Sequence, residues 1–178
     1  MLGQSSPPSS GVSEHRGESP LSIASAVVTI SDTRIPATDR SGTLIVQFLE
    51  GAGHRVLDRQ IIPDEPDRIR SVVSGYASRG DIQVVLMTGG TGISPRDQTY
   101  ETMLSLLNRP LPGYGELFRF LSYEEIGSAA ILSRALGGVI GRMAVFTMPG
   151  STAAVRLAME KLILPELTHI IREISKGA

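Results

Sequence analysis

The sequence predicts an α/β fold in which a mainly parallel sheet is covered by helices on both sides. Three observations carry that prediction. Short β-branched and apolar runs alternate with stretches of helical period from Ala24 to the C-terminus. The turns that follow the strands hold glycine, proline and acid, whereas those that follow the helices are plain connectors. Finally, 178 residues with 41% hydrophobic content suffice for a single well-filled domain.

Residues 1–20 hold six serines, three prolines and three glycines and read as a disordered leader; residues 21–178 form the domain. Ala24–Ser31 reads as the first strand, with Asp32 at its carboxyl end. After a polar loop, Asp39 or Ser41 caps a helix carrying Leu44, Ile45, Phe48 and Leu49, ended by Gly51-Ala52-Gly53. His54–Ile62 reads as a second strand stopped by Pro63. Asp64-Glu65-Pro66-Asp67 opens the next helix, whose apolar face is Ile69, Val72, Val73, Tyr76 and Ala77, and Gly80 closes it. Val84–Thr88 is the third strand, and Tyr100, Met103, Leu104 and Leu107 mark the third helix. Asn108–Gly115 reads as an ordered loop without regular structure, followed by short helices over Glu116–Phe120 and Glu124–Ser133. Gly137-Gly138 reads as a turn, Val139–Arg142 as a hairpin arm and Met143–Met148 as a buried strand. Pro149-Gly150-Ser151 then starts a helix that Pro165 kinks or restarts, with Leu167, Ile170, Ile171 and Ile174 continuing its apolar face.

Composition removes several function classes. A net charge of −1 gives no basic field for nucleic acid, and no apolar run reaches the length of a membrane span. Without cysteine there are no disulfides, thiolate metal sites or thiol nucleophiles, which fits a reducing compartment such as the cytoplasm. Three histidines, one of them in the leader, exclude a multi-histidine metal cage. His54 and His169 read as structural or solvent-exposed.

In a parallel sheet all strand-to-helix loops share one edge. That edge collects Ser31-Asp32, Pro63-Asp64, Gly89–Asp97 and Pro149-Gly150-Ser151. The third strand breaks into Gly89-Gly90-Thr91-Gly92 and then Ser94-Pro95-Arg96-Asp97. A strand, a glycine turn and a helix start let consecutive backbone N–H groups surround an anion, because no Cβ blocks the approach. The turn is neither the Gly-Lys-Ser/Thr phosphate loop nor the dinucleotide fingerprint. Taken singly, Asp64 reads as a helix cap, Arg96-Asp97 as a surface ion pair, Asp32 as a turn residue and Ser151 as an N-cap. Taken together, two acids and two amide nests on one edge point to phosphoryl or nucleotidyl transfer, with the carboxylates holding Mg²⁺. No Ser-His-Asp set can be assembled.

Thr88-Gly89-Gly90-Thr91-Gly92 with Pro95-Arg96-Asp97 and Thr99 resembles the signature of molybdenum cofactor biosynthesis proteins of the MoaB/MogA type. Ser31-Asp32, Ile62-Pro63-Asp64-Glu65, Pro112-Gly113-Tyr114-Gly115-Glu116, Ser133-Arg134-Ala135 and Pro149-Gly150-Ser151 match further motifs in the same order. The resemblance covers roughly Ala24 to the C-terminus. It implies a three-layer α/β/α sandwich around a mostly parallel sheet, assembled as a homotrimer that sometimes pairs into a hexamer. The implied activity is adenylylation of molybdopterin, whose terminal phosphate attacks the α-phosphorus of Mg-ATP and releases pyrophosphate. The matching positions make Asp64 and Asp97 the catalytic, Mg²⁺-linked carboxylates and Gly89, Gly90, Thr91 and Gly92 the phosphate cradle. Ser31, Asp32, Arg96, Gly113, Tyr114, Gly115, Glu116, Ser133, Arg134, Pro149, Gly150 and Ser151 would supply the remaining substrate and nucleotide contacts. Gln98, Tyr100, Thr102 and Leu111 depart from the usual pattern. The short C-terminus favours the MoaB-like branch, some of whose members bind without adenylylating. A non-catalytic molybdopterin carrier or scaffold is therefore the second reading.

Overall fold

The computed structural model describes residues 22–176, so the leader read from residues 1–20 lies outside the described residues. The elements are β1 (Ala24–Ile30), α1 (Arg40–Gly51), β2 (Arg55–Ile62), α2 (Pro66–Arg79), β3 (Val84–Thr88) and α3 (Thr99–Leu106). Then come β4 (Arg109–Pro110), α4 (Pro112–Ile126), a 3₁₀ turn (Gly127–Leu132), β5 (Leu136–Ile140) and β6 (Met143–Met148). The chain ends in α5 (Thr152–Leu157), a π-helical turn (Ala158–Ile163) and α6 (Leu164–Ser175).

The strands make one six-stranded sheet in the order β2-β1-β3-β6-β5-β4. β2, β1, β3 and β6 are parallel; β5 and β4 extend the sheet antiparallel. Side chains of the central strands alternate between two cores, as the two-residue strand period requires. Val27, Leu86 and Phe146 face α1, α4 and the C-terminal helices, whereas Val28, Met87 and Val145 face α2 and α3. The result is a three-layer sandwich. Because the chain leaves β1 toward one face and β3 toward the other, a crevice opens between their carboxyl ends, the switch point where such sheets take ligands.

Four expectations are corrected. Asn108–Gly115 is not irregular: it holds the short edge strand β4 and the first turn of α4, with Pro112 in that turn where its missing N–H costs nothing. The two short helices foreseen over 116–133 are one fifteen-residue helix and a 3₁₀ turn. Gly137 and Gly138 are not a turn but the middle of β5. A Cβ at Gly137 would lie 2.8 Å from the Phe146 ring and 3.0 Å from Tyr114, and one at Gly138 would lie 2.6 Å from the Arg109 carbonyl, so packing demands glycine there. The hairpin turn falls instead at Gly141, with φ of 59°. Leu104 also leaves the foreseen apolar face of α3 and is exposed, while Met103 is buried with Thr99 and Thr102. At Pro165 the chain continues as helix, and the absent N–H is absorbed by the wider π-helical turn just before it.

Candidate functional site

Four loops meet at the carboxyl edge of the sheet. Ser31 N–H donates to the Ile62 carbonyl at 2.9 Å, which ties the β1 exit to the end of β2, and Gly89 N–H donates to the Met148 carbonyl at 3.1 Å, which ties β3 to β6. Gly89 has φ of 104°, and a Cβ there would sit 2.3 Å from the Ile30 carbonyl oxygen. Only glycine lets the turn pass so close to β1. Gly150 approaches from the other side, with its Cβ position 3.4 Å from the Gly89 Cα.

Ile30, Ser31, Thr33, Arg34, Gly89, Gly90, Thr91, Gly92, Asp97, Leu132, Pro149 and Gly150 line a cavity of about 400 Å³. The backbone N–H groups of Gly90, Thr91 and Gly92 donate to no acceptor among the described residues. They form a nest of bare donors. Arg34 also lines this cavity, its guanidinium held by the Gly150 carbonyl at 2.9 Å and the Ser41 hydroxyl at 3.1 Å. A second cavity of about 590 Å³ shares Ser31 and Arg34 with the first and is walled by Ile35, Pro36, Ile61, Ile62 and Pro63 together with Asp32 and Arg59.

Both predicted carboxylates touch the glycine turn. A Cβ on Gly90 would fall 2.2 Å from Asp64 Oδ2, and one on Gly92 would fall 2.6 Å from Asp97 Oδ2. Asp64 is only 5% exposed. It does not cap its own helix: Glu65 is the N-cap of α2, without a side-chain bond. Instead the Asp64 carboxylate crosses to α3, accepting from Gln98 N–H at 3.2 Å and, more weakly, from the Thr99 hydroxyl at 3.4 Å. Burial pushes its carboxyl above the usual range; the Gln98 and Thr99 donors oppose that, and the neighbouring Asp97 charge adds to it. Asp97 accepts from Ser94 N–H at 3.1 Å.

Arg96 is not paired with Asp97. Its Nε and Nη2 both donate at 2.7 Å to Asp32, whose carboxylate also accepts Asp64 N–H at 3.2 Å. The Arg96 hydrogen bonds hold the Asp32 carboxyl below its usual range. Asp32 thus cross-links the exits of β1, β2 and β3. Ser31 Oγ accepts from Thr33 and Arg34 N–H groups, and Ser151 caps α5 through Ala154 N–H at 3.2 Å.

Residues 26–169 match the model of a family described as a probable molybdopterin binding domain. The molybdenum cofactor biosynthesis protein B of Bacillus subtilis is 52% identical over 167 residues, 93% of this chain and 98% of that protein. The protein of the same name from Halalkalibacterium halodurans is 51% identical over 166 residues, again 93% and 98%. The chain belongs to the MoaB/MogA family. A crystal structure of a molybdenum cofactor biosynthesis protein B superposes with a TM-score of 0.85 at 51% identity, covering 88% of this chain and 98% of that one. The Pyrococcus furiosus tungsten cofactor synthesizing protein MoaB superposes at 0.78 with 35% identity, covering 87% and 98%.

Within this MoaB/MogA fold, the cavity gathers Ser31, the 89–92 turn, Asp97, Pro149 and Gly150 from the predicted set, with Asp64, Asp32 and Arg96 immediately behind or beside it. Other matched positions lie elsewhere. Tyr114 is in the core, donating its hydroxyl to the Thr147 carbonyl at 3.2 Å. Gly115 is there for packing, since a Cβ would lie 2.6 Å from the Ala135 carbonyl. Gly113, Glu116, Ser133 and Arg134 are not among the cavity-lining residues. Sequence reasoning missed Arg34, Thr33 and Leu132. Arg34 sits in an irregular loop with no motif around it, so only the fold brings it against Gly150. Among the described residues no group of three or more acidic or histidine ligands forms a metal cage.

Proposed function

We propose that this protein transfers AMP from Mg-ATP to the terminal phosphate of molybdopterin, as a step in molybdenum cofactor synthesis in the cytoplasm. The observation that carries the reading is the contact of two carboxylates, Asp64 and Asp97, with a turn whose amide donors are unclaimed. In the proposed reaction an oxygen of the molybdopterin phosphate attacks the α-phosphorus of ATP. The bond from that phosphorus to the bridging oxygen breaks, and pyrophosphate leaves with its electron pair. The attacking phosphate is largely ionised near neutral pH, so no general base is needed, and catalysis reduces to positioning and charge stabilisation. The amides of Gly90, Thr91 and Gly92 bind phosphate oxygens, Arg34 lines the same cavity as a cation, and the second cavity, walled by apolar side chains with Asp32 and Arg59, has room for a substrate ring.

The residues present fit a magnesium ion. Mg²⁺ takes one or two carboxylates together with substrate phosphates, so a third protein ligand is not required. The raised Asp64 carboxyl beside Asp97 is the donor set that a cation would relieve. When bound with ATP, the ion would neutralise charge developing on the phosphates. Asp64 and Asp97 would hold it.

A trimer is the assembly we propose, with hexamers formed by pairing. The deciding assay is pyrophosphate release from Mg-ATP in the presence of molybdopterin. The wild type releases it, and Asp97→Ala is slower by roughly a hundredfold or more. A protein that binds molybdopterin but releases no pyrophosphate is a carrier.

A further inference from the structure

We propose that Arg134, held by Glu101 and Tyr100, is a positioning residue that aims the amides of the 91–92 turn into the cavity by gripping the turn from behind. The inference rests on the phosphate-site reading of that turn. Arg134 Nε donates to the Thr91 carbonyl at 2.8 Å, and Nη2 donates to the Gly92 carbonyl. Nη1 donates to Glu101, and Nη2 reaches the other Glu101 oxygen at 3.2 Å. The guanidinium carbon lies 4.6 Å from the Tyr100 ring centroid. Glu101 and Tyr100 come from α3 and Arg134 from the link between the 3₁₀ turn and β5, so one side chain ties the glycine turn and the start of α3 to a segment some forty residues further along the chain.

The physical reason lies in the peptide plane. In a trans peptide the C=O and the next N–H point in opposite directions and rotate together. Fixing the Thr91 carbonyl therefore aims the Gly92 N–H away from Arg134. The preceding unit is fixed in the same way, because the Gly90 carbonyl accepts Thr99 N–H at 3.0 Å, which orients the Thr91 N–H. Gly90 and Gly92 place no side-chain restraint on the turn, so its shape has to be imposed from outside. Arg134 is absent from the cavity lining, and the four hydrogen bonds above occupy four of its N–H groups. It acts on bound phosphate through the turn, not by touching it. Only arginine can do this, because its planar fork serves two carbonyls and a carboxylate at once.

The experiment compares wild type, Arg134→Lys, Glu101→Gln and the double variant. Amide NMR of the ligand-free proteins reads the turn, and calorimetry with inorganic pyrophosphate reads anion binding. The expected result is that both single variants shift the Gly92 amide signal and weaken pyrophosphate binding by roughly tenfold, about one charge-assisted hydrogen bond. The double variant is little worse than Arg134→Lys, because both changes disable one device. Glu101 is largely exposed, so Glu101→Gln keeps the fold even where Arg134→Lys loosens it. If Arg134→Lys weakens binding while Glu101→Gln changes neither affinity nor amide signals, Arg134 touches the anion directly and the proposal is wrong. Unmoved amide signals in both variants overturn it as well. A wild type that binds no pyrophosphate refutes the phosphate site instead, and the ligand-free spectra still decide the positioning.

Discussion

Asp64 combines two requirements that work against each other. The site calls for a carboxylate beside a second one, and the fold buries it at 5% exposure with Gln98 and Thr99 as its donors among the described residues. Its carboxyl is consequently pushed above the usual range. For a folded-state value above the unfolded one, the favourable contribution is complete below the unfolded value and is lost as pH rises through the folded value. At neutral pH the ionised side chain therefore lowers stability. Asp64→Asn should be as stable as wild type or more so at pH 7, with the difference shrinking as pH falls below the ordinary carboxylate range, where the carboxyl is protonated in both states. Turnover should fall by roughly a hundredfold or more over the same range. Paired thermal melts and pyrophosphate assays check this. A large loss of stability at pH 7, about 3–5 kcal/mol as for a broken buried ion pair, would show that Asp64 is structural.

At the scale of elements, the loop between β1 and α1 is held by Asp39, which is 1% exposed. Its Oδ1 accepts Gly42 N–H at 2.9 Å at the start of α1, and its Oδ2 accepts the Thr29 hydroxyl and Arg59 Nη2, each at 2.8 Å. Burial works against the charge, but Arg59, the Gly42 amide and Thr29 outweigh it and hold the carboxyl below its usual range. Asp39→Ala should cost about 2–4 kcal/mol at pH 7 by urea denaturation. Because the folded value is lowered, that contribution persists above the ordinary carboxylate range and is lost as pH falls through the folded value, so the gap between variant and wild type narrows below about pH 4. An equal gap at pH 7 and pH 3 would count against the charge. The cap itself was legible, since Asp39 or Ser41 before an apolar period is a local signal; Ser41 instead donates its hydroxyl to the Gly150 carbonyl at 2.6 Å. The strands and the gathering of loops on one edge were legible for the same reason, as period and turn chemistry are local. What sequence reading missed is set by distant partners. Gly137 and Gly138 look like a turn until Phe146, Tyr114 and Arg109 are placed against them, and Asp64 looks like the cap of α2 until α3 arrives beside it. The pairing of Arg96 with Asp32 rather than with its neighbour Asp97 is of the same kind.

At the scale of the whole molecule, the sheet fixes where the site lies and the helices fix what the rest of the surface offers. Leu117, Phe120, Tyr123 and Ile126 follow one another every third residue along α4, each more than half exposed, and Ile131 at 83% and Leu132 at 55% continue the series through the 3₁₀ turn. Single exposed apolar residues are ordinary, but six on one continuous helix-and-turn segment are the composition of a surface that meets another protein. Leu132 also lines the phosphate cavity, so this strip reaches the rim of the site. A homotrimer would cover it on each protomer by a closed ring of contacts, and assembly would then shield one wall of the cavity from water. Sedimentation equilibrium should give three times the 19.0 kDa chain mass. Phe120→Glu, which places a charge in the middle of the strip, should shift the protein toward monomer. Folded monomers linked to trimers also lose thermal stability on dilution, so the wild-type Tm should fall with protein concentration and that of Phe120→Glu should not. A wild type that sediments as a monomer at all concentrations would leave the strip without a self-partner and would remove the trimer from the proposal while leaving the carboxylates and the glycine turn as they are.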